Sequence, residues 1–346
     1  MATTTLTIGN ELLSTTMHIV MKEWRDNVYT STAMLEAQTR VHGEGSPTQA
    51  GGTRIVQPLG FGEHSNTTRL QTGYERIDLS VSDVFQPAVY DFAHVVRPIA
   101  ISAEEEMTNQ GDAAVLSILE NRVTSVANAL KREYVKQMVQ GNVAGWDDWN
   151  SLNGVGTSVT NGMLENAAAG SGSQDSSVGG VSKATFSSKT GWNNQFFDIA
   201  DSFNSNGLAG LYDLMVEIEA VSAQGKPNVI LASRAGFKNL KRSLQASERY
   251  MDEKSLDGGK MSTTFQGVPI DVEYYMPTVS TVEASFYFLN MNDIYTLWDP
   301  KGYFDLSDFE TVSGEYDVRA AKLRCRGQLI AKHLGSSGLA VNGDTF

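Results

Sequence analysis

The chain has 346 residues, of which 41% are hydrophobic and 19% charged, and its formal net charge is -13. Its length and composition allow a substantial core and exclude a disordered or fibrous chain. The acidic balance argues against sequence-specific binding of nucleic acid, because such proteins usually present a basic patch. The N-terminus lacks a secretory pattern and no apolar run reaches the roughly 18 residues of a membrane helix, so we expect a cytoplasmic origin.

Residues 1–50 have the pattern of an N-terminal arm. Apolar side chains such as Met17 and Met21 recur at helical spacing and predict a helix over Glu11–Gln38. The segment HGEGSPTQAGG that follows is typical of a flexible turn.

Residues 51–101 contain no helical pattern and are predicted to form an extended β-ribbon. Ile55 and Leu59 fall on one side of a first strand. The stretch AVYDFAHVVRPIAIS then predicts one long strand with apolar side chains on both faces. Because a two-stranded ribbon is only marginally stable by itself in water, we expect Val89–Ile101 to be buried by another chain.

Residues 102–141 contain the clearest helical pattern of the chain. Ser102 and Glu105 have the spacing of a capping box, in which each side chain accepts a hydrogen bond from the other residue's backbone N–H. Apolar residues then recur at steps of three or four, which predicts a helix over Asp112–Gln140 that ends at Gly141. This apolar stripe consists of Val115, Leu119, Val123, Val126, Leu130, Tyr134 and Met138.

The segment 141–191 is rich in Gly, Ser, Asn and Thr, a composition that predicts loops. The segment contains Trp146 and Trp149, and Trp192 follows it directly. We therefore expect the segment to be ordered on a surface rather than to be a free linker.

Residues 192–290 alternate helical and strand patterns, as α/β units do. A helix with apolar residues from Leu208 to Ile218 is expected to stop at Gly225, and Asn228–Ala232 predicts a short buried strand. Ser233 can cap the next helix. Further strands are predicted at FQGVPIDVEYY, SFYFLN and AKLRCRGQLIAKHL.

No pattern of catalytic or metal-binding residues emerges from the sequence. None of the five histidines lies at metal-ligand spacing from another ligand, and no phosphate loop or nucleophile elbow is present. Cys325 is interpreted as a small buried apolar residue. We therefore predict no catalytic residue, no metal and no cofactor. A core, an arm and a long ribbon without such chemistry are typical of a subunit of an assembly.

Six segments, taken in their order along the chain, together resemble the major capsid proteins of tailed bacteriophages. Each motif is degenerate, and the ordered series over residues 40–342 carries the resemblance. The segments are GGTRIVQPLGF with PIAIS, AVLSILENRVTSVANALKREYVKQMVQG, VGGVSKATFSSKTGWNNQF, GKPNVILASRAGFKNLKRSL, FQGVPIDVEYYMPT with SFYFLN, and KLRCRGQLIAKHLGSSGLAVN.

The resemblance implies an α+β chain with the Hong Kong 97-like capsid fold. It implies five regions, which are an N-terminal arm (1–50), an extended β-ribbon loop (51–101), a peripheral domain with a long spine helix and a Gly/Ser-rich linker (102–191), an axial domain (192–290), and C-terminal strands that return to the peripheral domain (291–346).

The resemblance also implies a function and partners. The chain would assemble into hexamers and pentamers of an icosahedral virion shell that encloses double-stranded DNA without reading its sequence, and would have no catalytic activity. The shell would form in the host cytoplasm with no membrane. Implied partners are a portal and a decoration or cement protein. Because the arm pattern starts almost at Met1, a separate scaffolding protein is expected.

Two groups of charged residues are candidates for contacts between subunits. The first lies on the extended loop and the second on the helix after Ser233, where a solvated face is the simpler interpretation. The candidates are Arg54, Glu63, Arg69, Glu75 and Arg76 on the loop, and Arg234, Lys238 and Arg242 on the helix. Since no lysine occurs between Lys22 and Lys131, no isopeptide cross-link from the loop is expected.

Two alternatives stay open. An encapsulin-type cellular compartment shares the implied fold, and an adjacent cargo-enzyme gene in place of an adjacent phage packaging gene would distinguish it. A hydrolase or nucleotide-binding enzyme could contain an α/β segment such as Asn228–Ala232, but the missing phosphate loop and nucleophile–histidine arrangement argue against it.

Overall fold

The fold is described from a computed structural model, which mixes helices and strands. The described residues are 32–61, 69, 71, 73–74, 76, 84–108, 118–141, 143–155, 162–165, 177–183, 192–199, 202–222, 225–245, 263–279, 282–312, 314 and 317–346. The helices are α1 (Ala33–His42), α2 (Ala103–Thr108), α3 (Ile118–Gln140), α4 (Leu208–Val221), which follows a π-helical turn at Phe203–Gly207, and α5 (Arg234–Gln245).

The longest described strands are Val318–Ala331 with 14 residues and Ala93–Ser102 with 10. In chain order, the described strands are β1 (Arg54–Gly60), β2 (Phe85–Asp91), β3 (Ala93–Ser102), β4 (Ser151–Gly154), β5 (Gly162–Glu165), β6 (Ser177–Val178), β7 (Val181–Ser182), β8 (Gln195–Asp198), β9 (Val229–Ala232), β10 (Thr264–Phe265), β11 (Val268–Val272), β12 (Thr278–Val279), β13 (Val282–Leu289), β14 (Ile294–Trp298), β15 (Asp305–Leu306), β16 (Glu310–Thr311), β17 (Val318–Ala331) and β18 (Gly338–Val341).

Within the described ranges, the larger sheet has seven strands in the order β10-β11-β9-β13-β18-β8, with β12 paired to β13. The apolar residues of β9 and β13 point alternately to its two faces, as strand geometry requires. Ile230 and Phe286 pack with Ile218 of α4 and Leu240 of α5 on one face. The other face, which includes Leu231, belongs to the main core.

A second sheet, with five strands among the residues that the structure describes, is built around β17, which pairs with β3, β14, β15 and β16. The pairing of β17 with β3 runs from Val318↔Ser102 to Gly327↔Ala93. The single long strand predicted from the sequence is therefore broken at Phe92. The expectation that it is buried by another chain is wrong for the inner face of β3, where Ile99 is only 2% exposed within its own chain. The opposite face is open in the single chain, with Val96 41% exposed.

The strand β18 lies outside the second sheet. The resemblance implies that the strands of residues 291–346 all return to the peripheral domain. In the structure, Gly338–Val341 pairs with β13 and β8 in the seven-stranded sheet. The C-terminal region therefore contributes to both sheets. Pairing between distant segments decides this placement, and the local pattern of residues 338–341 does not encode it.

The long helix α3 packs on the second sheet through the C-terminal half of the predicted stripe. Leu130, Tyr134 and Met138 are fully buried, and Gly141 ends the helix at a φ of 71°. The predicted start at Asp112 lies outside the described residues. The capping box is confirmed, since Ser102 N donates to Glu105 Oε2 and Glu105 N donates to Ser102 Oγ, both at 3.2 Å.

The segment 141–191 is expected from its sequence to be ordered on a surface, and the three tryptophans in and after it lie in the core. Trp146, Trp149 and Trp192 are 3%, 1% and 1% exposed. Trp149 packs edge-to-face on Tyr134 of α3, with ring centroids 5.9 Å apart. Aromatic residues of this size contribute large buried areas, so the described parts of this segment next to the tryptophans are anchored in the core.

The N-terminal helix α1 links the two sheets. It continues to His42, four residues beyond the predicted end, and the earlier residues of the predicted helix lie outside the described part of the chain. Gln38 Nε2 donates to Thr296 Oγ1 of the second sheet at 2.9 Å. On the other side, Arg40 forms an ion pair of 2.7 Å with Asp271, at the end of β11 in the larger sheet.

A buried carboxylate from the larger sheet caps α1. Thr32 makes no side-chain capping bond, and Glu273 Oε2 instead accepts the N–H of Met34 at 3.1 Å. A carboxylate at this position also interacts favourably with the helix dipole. Burial nevertheless raises the pKa of Glu273 from 4.5 to about 7, with a smaller contribution from the charge of Glu36.

This raised pKa predicts that stability falls as pH rises from about 4.5 to about 7. Over that range the folded protein retains a proton on Glu273 that the unfolded chain releases, which is worth about 3 kcal/mol in the limit. Glu273→Gln should flatten this part of the stability profile. Denaturant titrations of both proteins at several pH values measure the difference, and parallel profiles would contradict the assignment.

Candidate assembly surfaces

The described part of the chain was predicted to hold no metal site, and its potential metal ligands are dispersed. No cluster of three His, Cys, Asp or Glu side chains that could hold a metal ion occurs there. His333 Nδ1 accepts the N–H of Ser336 at 3.1 Å. Cys325 is fully buried, as predicted, and burial raises the pKa of its thiol. None of the helices described above is both long and apolar enough to cross a membrane.

The ribbon formed by β1 and β2 has one face buried in its own chain. The strands pair antiparallel from Arg54↔Asp91 to Gly60↔Phe85, so alternate residues point to opposite faces. The inner face carries Ile55, Leu59, Ala88 and Tyr90, which are all buried in the main core.

Two contacts fix this inner face on the rest of the chain. The Tyr90 hydroxyl donates to the carbonyl of Ala331 at 3.1 Å, and Val89 N donates to Gly179 O at 2.9 Å. Gly179 has a φ of 58°, and a Cβ at this position would lie 2.9 Å from the Cβ of Ala88. Only glycine therefore allows this close approach.

The opposite face of the ribbon is apolar and exposed, and we call it the outer stripe. Val56 and Val89 face each other across the strands, as do Pro58 and Pro87. Val56 is 59% exposed and Phe85 79% exposed. The outer stripe consists of Val56, Pro58, Phe85, Pro87 and Val89.

The outer stripe corrects part of the sequence-based interpretation. Ile55 and Leu59, which the alternation of residues places on one side of β1, are buried by the chain itself. The exposed face instead carries the residues between them. The sequence does indicate this exposed apolar face. A ribbon buried on one side only would alternate apolar and polar residues, whereas Val56 and Pro58 make β1 apolar on both faces.

The charged candidates of the loop are placed only in part. Arg54 Nε lies 2.8 Å from Asp91 Oδ1 across the ribbon of the same chain, and both side chains are largely exposed. Such a surface pair contributes at most about 1 kcal/mol. Arg69 and Arg76 are exposed, while Glu63 and Glu75 lie outside the described residues.

The charged candidates of α5 share one exposed face of that helix. Ser233 caps the helix as predicted, with its Oγ accepting the N–H of Gly236 at 2.9 Å. Arg234, Lys238 and Arg242 then follow at intervals of four residues and are exposed. The Arg242 guanidinium lies 5.4 Å from the ring centroid of Phe346. The position of these residues is thus established, and their contact with another subunit stays a prediction.

A buried ion pair in the loop region was not found from the sequence. Lys183 Nζ lies 3.0 Å from Glu165 Oε1, and the lysine side chain is completely buried. Lys183 Nζ also donates to the carbonyl of Met163 at 2.6 Å. Desolvation lowers the pKa of Lys183, and Glu165 opposes this shift. A lone lysine in a Gly/Ser-rich segment gives no local signal of such burial.

Sequence comparison and structural comparison give different results for this chain. No protein-family model and no curated protein sequence matches it. Its fold, by contrast, is that of the shell proteins of phage capsids, and the match extends over nearly the whole chain.

Three solved structures illustrate the likeness. The capsid of cyanophage A-1(L) has a TM-score of 0.65 at 14% identity and covers 98% of this chain and 99% of its own. The capsid of an empty GTA particle has a TM-score of 0.63 at 12% identity, over 94% and 95% of the two chains. The SrpI encapsulin of Synechococcus elongatus has a TM-score of 0.56 at 10% identity, over 98% and 97%.

At such low sequence identities, the structural likeness establishes the fold alone. The predicted α+β class and the resemblance to phage capsid proteins are confirmed at that level. Because an encapsulin shares the fold, the comparison does not separate the two kinds of shell.

Proposed function

We propose that this chain is the major capsid protein of a phage, which assembles with its own copies into hexamers and pentamers of a closed icosahedral shell. The observation that carries the proposal is the outer stripe, an exposed apolar face on a ribbon whose inner face is already buried. A neighbouring copy that covers this face gains about 25 cal/mol per Å² of apolar area removed from water. The capsid fold over nearly the full chain supports the same role.

The repetition of one contact suits a shell. Each copy presents the same stripe. When the stripe of one copy contacts a different surface of the next copy, the same contact repeats from subunit to subunit. Exposed apolar patches on otherwise soluble chains commonly mark such interaction sites. In this role the chain is a structural protein without catalytic activity.

The contents of the shell are proposed to be double-stranded DNA. The net charge of -13 makes the shell a weakly repelling wall, which encloses DNA without trapping it by sequence-specific contacts. A portal, a separate scaffolding protein and a decoration or cement protein complete the proposed set of partners. Assembly takes place in the host cytoplasm, and the finished shell belongs to the virion.

A cellular encapsulin is the second candidate, because one of the solved structures with this fold is an encapsulin complex. The two candidates differ in what the shell contains. Nuclease-protected DNA in particles from the native source supports the phage capsid, and protein cargo without DNA supports the compartment.

Electron microscopy of the purified protein tests the shared part of the proposal. We expect closed shells of uniform diameter, with hexameric and pentameric units visible in averaged images. Release of DNA after disruption of native particles then separates the two candidates. Small discrete oligomers that never close into shells, under conditions where the chain is folded, would contradict both.

A further inference from the structure

The helix α4 presents an outward face that combines apolar and acidic residues. Tyr212 and Val216 are 43% and 60% exposed and lie four residues apart. Asp213 and Glu217, also exposed, form a parallel row beside them. The Tyr212 ring packs on Phe265 with centroids 4.8 Å apart, which fixes it at this surface.

The helix α5 presents the opposite sign of charge at the same spacing. Arg234, Lys238 and Arg242 repeat every four residues, which is about 6 Å along a helix axis. Asp213 and Glu217 on α4 have the same interval. Charges on two helices placed side by side can therefore meet in register.

We propose that α5 of one copy lies against α4 of the next copy, with its row of cations facing Asp213 and Glu217. The proposal rests on the proposed function, because it requires neighbouring copies of the chain. It goes further by naming the two surfaces that meet.

Charge complementarity favours a second copy as the occupant. Both surfaces belong to the same chain, and neither forms an ion pair with the other within the part of that chain described here. Two different complementary patches give a head-to-tail contact, which forms a ring where the rotation between successive copies closes. The contact also covers Tyr212 and Val216, which are partly exposed in the single chain.

A second arrangement, α5 against DNA, fits the observations less well. A nucleic-acid surface would account for the cations of α5 but leaves the exposed apolar and acidic face of α4 without an occupant. The charge of the chain as a whole also opposes approach to a polyanion. The charge-reversal experiment below distinguishes binding of DNA to α5 from pairing of α5 with α4.

Reciprocal charge reversal tests the pairing in the full-length chain. One variant carries R234E, K238E and R242E, a second carries D213K and E217K, and a third combines all five changes. All five positions are exposed, so circular dichroism and thermal unfolding should resemble those of the wild type. The single reversal K238E is compared with K301E, which alters the net charge equally at an exposed lysine after β14, outside α4 and α5.

Light scattering and native mass spectrometry then measure assembly. We expect each reversed face alone to raise the protein concentration needed for assembly at least about tenfold, and the combined variant to recover most of this loss. K238E should impair assembly more than K301E. An equimolar mixture of the two reversed proteins should assemble better than either protein alone.

The possible failures are distinguishable. Wild-type protein that forms no oligomer at all overturns the proposed function together with this pairing. Wild-type shells with reversed variants that assemble equally well overturn the pairing alone, as does a combined variant with no recovery. Normal assembly of the α5 variant with loss of packaged DNA would instead assign α5 to nucleic acid.

Discussion

Replacing Lys183 with methionine is expected to lower the free energy of unfolding by about 3–5 kcal/mol, because a buried carboxylate is left without its counter-ion. Lys183 is completely buried and lies 3.0 Å from Glu165, whose side chain is 10% exposed. Water therefore cannot readily replace the ammonium group. The same ammonium also donates to Met163 O, which loses this bond.

The double variant Lys183→Met with Glu165→Gln separates charge from packing. It removes both charges at similar volume, so it should recover a large part of the loss. Lys226→Met is the matched control, since Lys226 pairs with Glu219 at 3.5 Å on the surface and should cost less than about 1 kcal/mol. Urea denaturation of unassembled subunits measures all three. Equal costs for Lys183→Met and Lys226→Met would contradict the assignment.

Features that depend on a few neighbouring residues could be predicted from the sequence. The capping box of Ser102 and Glu105, the cap at Ser233 and the stop at Gly141 all follow from local backbone chemistry. Each has one geometry that the residue type favours strongly. The spacing of Leu130, Tyr134 and Met138 likewise selects one face of α3 whatever that face contacts.

Features that depend on distant pairing could not be predicted. The apolar run before Ser102 is a strand in any interpretation, yet only β17, more than two hundred residues later, shows that β3 pairs within its own chain. The same holds for Gly338–Val341, whose partners are β13 and β8. Strand propensity identifies a strand but does not choose among partners.

The contacts of charged residues also depend on distant parts of the chain and could not be predicted from the sequence. A long cationic side chain is normally solvated, so Arg54 suggested a contact with another subunit and Lys183 suggested nothing. In the structure Arg54 pairs with Asp91 of its own chain, and Lys183 lies in the core. The candidates on α5 were easier to place, because helical spacing alone sets them on one face.

Introducing a charge into the outer stripe is expected to abolish shell assembly while the subunit stays folded. Phe85 is 79% exposed in the single chain, so Phe85→Asp should change the stability of the subunit little. In a shell, full burial of this ring by a neighbour would contribute about 2 kcal/mol per contact. The aspartate variant loses that contribution and adds the cost of burying a carboxylate.

The effect on assembly should greatly exceed the effect of one contact. A loss of about 2 kcal/mol weakens each contact roughly thirtyfold, and every copy in a shell carries the same change. Val56→Asp, at the other end of the outer stripe, should behave in the same way. Both variants are expected to remain as small species at protein concentrations where the wild type forms shells.

Gln86→Asp provides the matched control, because Gln86 is exposed and adjacent to Phe85 but pairs with Leu59 on the inner side of the ribbon. It introduces a carboxylate at the neighbouring position of the same strand without touching the outer stripe. Sedimentation and electron microscopy should show shells for Gln86→Asp and none for Phe85→Asp. Shells formed equally by all variants would show that the stripe stays in solvent and that other surfaces hold the subunits together.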